Sequence, residues 1–208
     1  LAEMGDNASE PMHDVKPNDM AAILFTSGST GVPKGVVYRH RHFVAQVRML
    51  RNAFKIEPGE VSLPTFPPFA LFDPALGMTT VVPVMDPTRP AEADPKKLIE
   101  VIDEYKVTNV FGSPALLDTL GSYCVEQKIR LESVTRVISA GAAVPLRVIQ
   151  QMKQSLFLDA KIHTPYGATE CLPVSSISAA ELDERMVDKI ESGDGVCVGK
   201  PIEPNEVK

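Results

Sequence analysis

Apolar and polar positions between residues 94 and 164 change their spacing in blocks, which predicts alternating strands and helices. Short, mostly apolar runs predict strands at Val107–Gly112, Val134–Gly141 and Ala160–Thr164. Apolar residues at three- and four-residue spacing predict helices at Pro95–Tyr105, Ser113–Gln127 and Pro145–Leu156. Strands that alternate with helices of this length form parallel sheets. The predicted fold class is therefore α/β, with a mostly parallel sheet flanked by helices.

The first half of the chain is less regular. Residues 1–18 are polar, contain proline and lack periodicity, so they are expected to form a loop or linker. The apolar run Ala21–Thr26 predicts a buried strand. A helical face is predicted from apolar residues recurring at intervals of four, three and four: Phe43, Val47, Leu50 and Phe54. Residues 61–90 contain seven prolines and therefore predict loops and short segments.

Three stretches rich in small residues directly follow predicted strands. They are "SGSTGVPKG" after Ala21–Thr26, "AGAA" within and after Val134–Gly141, and "YGATE" after Ala160–Thr164. In open parallel sheets, ligands bind at the carboxyl ends of the strands. We therefore expect the three stretches to contribute to one site.

The first of these stretches has the composition of an anion-binding loop. Consecutive backbone N–H groups in a turn form a concave anion site, and glycine allows a ligand to approach the backbone closely. The candidate phosphate-binding residues are Thr26, Ser27, Gly28, Ser29, Thr30, Gly31 and Lys34. The loop is not a Walker A motif, because Pro33 precedes Lys34 and Gly35 follows it. The alternative is a flexible surface loop.

Composition excludes several classes of protein. The formal net charge is −6 and the sequence pI about 5.3, which gives no indication of a nucleic-acid partner. No apolar run reaches the roughly 18 residues of a membrane span, so no transmembrane segment is expected. Cys124, Cys171 and Cys197 are far apart and odd in number, which favours reduced thiols and a cytoplasmic protein.

The motifs, taken together, resemble the adenylate-forming superfamily of acyl-CoA synthetases, nonribosomal adenylation domains and luciferases. "FTSGSTGVPKG" is similar to the signature loop of that family, and "YGATE" is similar to its second signature. "AGAA" resembles its adenine-binding segment, and "GVCVGKP" resembles a later family stretch. The resemblance covers residues 20–202. It implies that residues 19–208 form part of an AMP-binding N-terminal domain.

The resemblance implies specific roles for individual residues. The loop from Thr26 to Lys34 would hold the β- and γ-phosphates of ATP. Thr169 would contact the α-phosphate, and Glu170 would hold Mg²⁺; with Lys34 these are the candidate catalytic residues. The adenine would be bound by Gly141, Ala142, Ala143, Tyr166 and Gly167. Taken alone, Glu170 is equally consistent with a solvated charge. Tyr166 is also compatible with a core role, but Gly167 after it indicates a loop and favours stacking.

Segments between the motifs are most similar to the β-lactone synthetases of bacterial long-chain olefin biosynthesis. They are "PTFPPFALFDPALGMT", "MDPTRPAEADP" and "TPYGATECLPV". This similarity implies an enzyme that activates a long-chain β-hydroxy carboxylic acid with ATP and Mg²⁺, releases pyrophosphate and closes a β-lactone. It also implies association with other enzymes of the pathway. The alternatives are an acyl-CoA ligase, or a nucleotide-binding or protein-interaction module without chemistry of its own.

Several other residues are candidates for either function or structure. Phe66, Phe69, Leu71 and Phe72 are equally compatible with an acyl pocket and with a core. Asp73 favours a turn beside Pro74, and the stretch around it lacks the histidine that gates the acyl pocket in related ligases. His40, His42 and His163 are isolated and favour ordinary surface or core roles, and Cys171 lacks an identifiable base.

The family's ribose-binding "TGD" motif and its small C-terminal domain are not found in this sequence. The chain begins at Leu1 and ends in "PNEVK", which resembles an incomplete strand. We therefore expect a fragment of a longer polypeptide that is inactive or weakly active by itself.

Overall fold

The computed structural model describes residues 13–26 and 33–207. The chain folds as two compact units, the first ending at Ala45 and the second beginning at Gln46. Within the described residues, none of the helices has the length and apolar character needed to cross a membrane.

The first unit contains a β-hairpin rather than a strand of the large sheet. Strand β1 (Met20–Phe25) pairs antiparallel with β2 (Gly35–Arg39) in a two-stranded sheet of their own. Most β1 residues are exposed, and Phe25 is 70% exposed. The strand predicted at Ala21–Thr26 is therefore present, but the predictions that it is buried and belongs to the parallel sheet were wrong. Strand β2 was not predicted from the sequence. Because β2 forms hydrogen bonds with the backbone of β1, β1 needs no parallel neighbour.

The second unit is organised by a seven-stranded sheet in the order β4-β3-β5-β6-β7-β8-β9. Its strands are β3 (Val61–Pro64), β4 (Thr79–Thr80), β5 (Asn109–Gly112), β6 (Arg136–Ser139), β7 (Lys161–Ala168), β8 (Cys171–Ser178) and β9 (Lys200–Pro201). The pairs from β4 to β7 are parallel, whereas β8 and β9 are antiparallel. The prediction of a mostly parallel α/β sheet is confirmed.

The helices of the described residues lie in the connections between strands. They are α1 (His40–Phe54), α2 (Pro67–Ala70), α3 (Asp73–Leu76), α4 (Pro95–Tyr105), α5 (Pro114–Gln127), α6 (Leu146–Ser155) and α7 (Glu184–Glu191), with a 3₁₀ turn at Pro90–Glu92. Helix α4 begins as its sequence predicts: the Asp94 side chain accepts a hydrogen bond from Lys96 N at 3.0 Å. The Ser113 hydroxyl caps α5 in the same way, accepting from Leu116 N at 3.3 Å.

The core forms two clusters because successive strand side chains point to opposite faces of the sheet. Val110 and Val137 belong to the cluster that includes the buried faces of α4, α5 and α6. Phe111 and Ile138, one residue further along, belong to the cluster that includes Met49 and other α1 residues. Burying both faces fixes the strand register, because a shift by one residue would exchange the two sets.

Candidate active site at the carboxyl edge of the sheet

Two of the three predicted motif segments meet at one edge of the sheet. Strands β6 and β7 are parallel neighbours, with Ile138 opposite His163. The loop Gly141–Ala143 follows β6, and the segment Tyr166–Glu170 lies at the end of β7. Because carboxyl ends of parallel strands share one edge, these two segments are neighbours at that edge.

The glycine loop after β6 leaves open space at its first residue. Gly141 has φ of +96°, a conformation that side chains rarely adopt, and an added Cβ would meet no atom within 4 Å. Ala142 and Ala143 are exposed, whereas Val144 is buried in the core and fixes the end of the loop. The loop therefore presents backbone and small side chains to open space.

The second motif forms a β-hairpin, and this corrects the prediction of a loop at Gly167. Strand β7 continues through Tyr166 and Gly167 to Ala168 because β8 pairs with it antiparallel. Ala168 pairs with Cys171, so Thr169 and Glu170 form the two-residue turn between the strands. Tyr166 is 53% exposed, which excludes the alternative of a core residue and leaves its ring accessible to a ligand.

Gly167 allows the two hairpin strands to approach closely. A Cβ at this position would lie 2.7 Å from Leu172 Cδ2 and 2.8 Å from the backbone oxygen of Cys171. The register of the hairpin is irregular between Tyr166 and Ala168. A larger residue at position 167 would therefore move the strand that carries the turn.

The donor set at the turn fits a magnesium ion that is shared with phosphate. Mg²⁺ prefers one or two carboxylates together with phosphate oxygens and water, rather than a cage made only of protein ligands. Glu170 offers one exposed carboxylate, and Thr169 offers a hydroxyl beside it. The described part of the chain contains no cluster of three or more His, Cys, Asp or Glu side chains suited to a metal. The carboxylate that the turn offers to such an ion is that of Glu170.

The phosphate-loop candidates belong to the first unit. Thr26 N donates to Lys34 O at 3.0 Å, which continues the hairpin pairing beyond β1 and β2. Lys34 is exposed. The remaining candidates lie outside the described residues: Ser27, Gly28, Ser29, Thr30 and Gly31.

Comparison with known proteins decides the family. Residues 2–208 match the AMP-binding enzyme family. The chain belongs to this family. The resemblance predicted from the motif residues is thereby confirmed, and the carboxyl edge of β6 and β7 becomes the candidate site of an AMP-binding enzyme.

Two curated relatives support the narrower resemblance to β-lactone synthetases. The chain is 55% identical over 204 residues to an olefin β-lactone synthetase of Xanthomonas campestris, covering 98% of this chain and 36% of the relative. It is 59% identical over 190 residues to an olefin β-lactone synthetase of Stenotrophomonas maltophilia, covering 91% of this chain and 34% of the relative. The chain therefore spans about a third of the length of these curated relatives.

A solved structure confirms the fold. The AMPPNP-bound form of the nonribosomal peptide synthetase FmoA3 superposes with a TM-score of 0.77 at 24% identity. The match covers 94% of this chain and 20% of that chain. At this identity the similarity establishes the AMP-binding fold alone.

The aromatic residues around α2 and α3 do not form a single buried pocket lining. Phe69 stacks on Phe111 with ring centroids 4.0 Å apart and packs against the second core cluster, as does Phe72. Phe66 and Leu71 are 47% and 78% exposed. The core interpretation therefore holds for Phe69 and Phe72, whereas the exposed pair stays available as an apolar surface.

Asp73 lies in helix α3 rather than in the turn predicted beside Pro74. It is the first residue of α3, is buried and accepts a hydrogen bond from the Thr80 hydroxyl at 3.1 Å. Burial raises the pKa of its carboxyl group, while hydrogen bonds from Ser62 and Thr80 oppose that shift. The Asp73 side chain therefore links the start of α3 to strand β4.

The histidines and cysteines contribute no reactive pair among the described residues. His163 packs against Phe54 at 5.0 Å between ring centroids, and the His42 Nδ1 atom accepts from Arg39 N at 3.1 Å. All three cysteines are free, as predicted. Burial raises the pKa of the Cys124 thiol to about 11, which makes it a poor nucleophile.

Sequence analysis missed two amide side chains that contact the hairpin. Gln46 Nε2 donates to Leu172 O at 2.9 Å, and Asn205 Nδ2 donates to Pro173 O at 2.8 Å and Val174 O at 3.1 Å. Gln46 lies beside the predicted apolar face of α1, which places a polar residue next to the core. That position was the only signal available in the sequence.

Proposed function

We propose that this chain contributes the nucleotide-binding part of an enzyme that activates a carboxylic acid with ATP. The acid becomes an acyl-adenylate with release of pyrophosphate, and a β-hydroxyl group then closes a β-lactone. The observation that carries the proposal is the placement of Gly141–Ala143 and Tyr166–Glu170 at one sheet edge in a member of the AMP-binding enzyme family. The names of the two curated relatives support the β-lactone as the product.

The carboxyl edge of β6 and β7 supplies the groups that an adenosine monophosphate needs. In the proposal, the exposed Tyr166 ring stacks on the adenine, and the small residues Gly141, Ala142 and Ala143 line its other side. Gly167 holds the strand close to β8, and the Thr169 hydroxyl contacts the α-phosphate. The FmoA3 structure has the ATP analogue AMPPNP bound to the same fold, which supports ATP as the nucleotide.

Charge neutralisation is the main chemical demand of the first step. A carboxylate oxygen attacks the α-phosphorus and pyrophosphate leaves, so several negative charges come together in the transition state. We propose that Lys34 and the loop residues Thr26 to Gly31 hold the β- and γ-phosphates through an ammonium group, hydroxyl groups and backbone N–H groups. Mg²⁺, when bound through Glu170, would offset charge on the phosphate oxygens.

The second step needs a nucleophile from the substrate itself. The β-hydroxyl oxygen attacks the acyl carbon, the bond from that carbon to the AMP oxygen breaks, and the hydroxyl proton is released. The products are a β-lactone and AMP. We propose a 2-alkyl-3-hydroxy fatty acid as substrate, with the exposed apolar surface at Phe66 and Leu71 contacting its chain.

Three further proposals follow from the same family assignment. We propose that residues 19–208 form part of the N-terminal domain of the enzyme. We also propose that the enzyme takes part in fatty acid metabolism in the cytoplasm, and that it associates with other enzymes of olefin formation.

Product analysis tests this function in the protein at its full natural length. The enzyme is incubated with ATP, Mg²⁺ and a 2-alkyl-3-hydroxy acid, with and without coenzyme A, and the products are identified by mass spectrometry. The proposal predicts a product that has lost water from the acid in both reactions. A coenzyme A thioester would identify an acyl-CoA ligase instead. ATP binding without turnover of any acid tried would identify a binding module.

A further inference from the structure

The turn that carries Thr169 and Glu170 is held from outside its own hairpin by the side chain of Gln46. Gln46 lies on helix α1, 126 residues away in sequence from its partner Leu172. Leu172 lies two residues beyond Glu170 on strand β8. The hydrogen bond therefore joins helix α1 to strand β8 close to the turn.

Contacts within the hairpin extend this restraint to the other side of the turn. The Leu172 side chain occupies the space where a Cβ of Gly167 would lie, at 2.7 Å. Gly167 precedes Ala168, which pairs with Cys171 across the two-residue turn. A shift of Leu172 would consequently move both strands that flank Thr169 and Glu170.

The burial of Gln46 argues against a role in stability alone. Gln46 is 8% exposed, and its Oε1 atom is buried without a hydrogen-bond partner among the described residues. A buried acceptor without a partner destabilises the fold, and this cost offsets the stabilisation that the hydrogen bond to Leu172 O provides. The net contribution of Gln46 to stability is therefore small, although an apolar residue here would leave Leu172 O without this donor.

We propose that Gln46 is a positioning residue for the active-site turn. By donating to Leu172 O it fixes where Thr169 and Glu170 present their oxygens, without touching the substrate itself. The functional part of this inference rests on the proposed function; the structural part does not. Asn205 restrains the same strand through its hydrogen bonds to Pro173 O and Val174 O.

The test compares Gln46→Met with a matched control, Gln151→Met. Methionine keeps the length of the side chain but cannot donate a hydrogen bond. Gln151 is a helical glutamine on α6 whose amide contacts Ser122, so its substitution also removes an amide contact but not one to the hairpin. Hydrogen–deuterium exchange of residues 165–173, thermal unfolding and pyrophosphate-exchange kinetics are measured for both variants.

For Gln46→Met we expect amide exchange in residues 165–173 to accelerate about fivefold, the ratio that corresponds to one hydrogen bond of typical net strength. The unfolding temperature should change little, because the variant loses the donor to Leu172 O but also removes the unpaired Oε1 atom. The kcat for pyrophosphate exchange should fall by a similar factor, with KM for the acid unchanged. Gln151→Met should leave the exchange of residues 165–173 and kcat at their wild-type values.

Unchanged exchange in residues 165–173 would overturn the inference. A lower unfolding temperature with uniformly faster exchange would also overturn it, because that pattern indicates a purely structural role. If Gln46→Met does not fold, Asn205→Ala provides the second variant. It should accelerate exchange in residues 165–173, and the absence of that effect would contradict restraint by the two amides.

Failure of the proposed function gives a different result. In that case the wild-type protein shows no pyrophosphate exchange with any acid, while the hydrogen–deuterium exchange comparison still decides whether Gln46 restrains the turn.

Discussion

The guanidinium group of Arg136 is buried against the carboxylate of Glu60 at the amino end of the sheet, opposite the candidate site. The two side chains are 9% and 16% exposed, and Arg136 Nη2 donates to Glu60 Oε1 at 3.2 Å. Arg136 also donates to Phe54 O at 2.8 Å and to Lys55 O at 2.9 Å. The pair therefore joins the end of α1, the approach to β3 and the start of β6.

Removing Glu60 should destabilise the fold strongly. In Glu60→Ala, Arg136 keeps its backbone partners but becomes a buried charge without a counterion, which typically costs about 3–5 kcal/mol. Urea denaturation of the variant measures the loss. The matched control is Glu92→Ala in the exposed Arg89–Glu92 pair, where both side chains are more than 60% exposed. That control should cost less than about 1 kcal/mol, and an equal loss in both variants would contradict the account.

His163 should make the fold less stable in mild acid. Burial, together with the positive charge of Arg136, lowers the pKa of His163 to about 4, from an ordinary value of 6.5. The fold therefore favours the neutral ring, and the unfolded chain binds the proton more readily between these pH values. The stabilisation is complete above pH 6.5 and is lost as the pH falls toward 4.

The measurement is the free energy of unfolding from pH 7 to pH 4.5 for wild type and His163→Asn. Asparagine does not titrate, so the variant should show a shallower decrease than wild type over this range. Parallel curves for the two proteins would show that His163 titrates normally in the folded state.

Gly167 should tolerate no side chain. In Gly167→Ala the new methyl group would overlap Leu172 and the backbone of Cys171, which requires the hairpin strands to separate. Overpacking of this kind costs about 1–3 kcal/mol. Thermal unfolding checks the loss, with Ala168→Ser as the control, since residue 168 is exposed and also gains one heavy atom. Equal stability of Gly167→Ala and wild type would contradict the close approach.

Glu170 should matter for catalysis and not for folding. Its carboxylate is exposed at the turn, so Glu170→Ala should leave the unfolding temperature unchanged. Loss of the proposed metal ligand should lower pyrophosphate exchange by at least about a hundredfold, the scale for removing one preorganised electrostatic partner. Glu184→Ala on the exposed start of α7 is the control and should retain full activity. Near-normal exchange by Glu170→Ala would show that the assignment is wrong.

The elements with complete local signals could be predicted from sequence. Helix α4 has a capping aspartate, a proline at its first position and an apolar stripe, and it lies where these signals place it. Helix α5 is equally well marked by Ser113 and Pro114. Boundaries shifted by only one or two residues at β5, β6 and α6, because strand and helix ends depend on hydrogen bonds that leave no mark on composition.

Pairing partners could not be predicted in the same way. The apolar run at Ala21–Thr26 indicated burial, yet the strand pairs with β2 and stays mostly exposed. The glycine at position 167 indicated a loop, yet an antiparallel neighbour converts that segment into strand. In both cases a partner elsewhere in the chain overrides the local preference.

Motif residues can be recognised in the sequence, whereas the residues that support them cannot. The "YGATE" segment is recognisable from its letters, whereas Gln46 is recognisable only from its hydrogen bond to Leu172. Glutamine on a helix is ordinary, and only the three-dimensional contact gives it a role at the turn.

The most direct test of carboxylate activation follows the oxygen atoms. A 3-hydroxy acid labelled with ¹⁸O in its carboxylate is converted by the full-length enzyme, and the AMP is analysed by mass spectrometry. If the carboxylate attacks the α-phosphorus and the β-hydroxyl then closes on the acyl carbon, each AMP carries one labelled oxygen. Unlabelled AMP, or ADP in its place, would contradict formation of an acyl-adenylate.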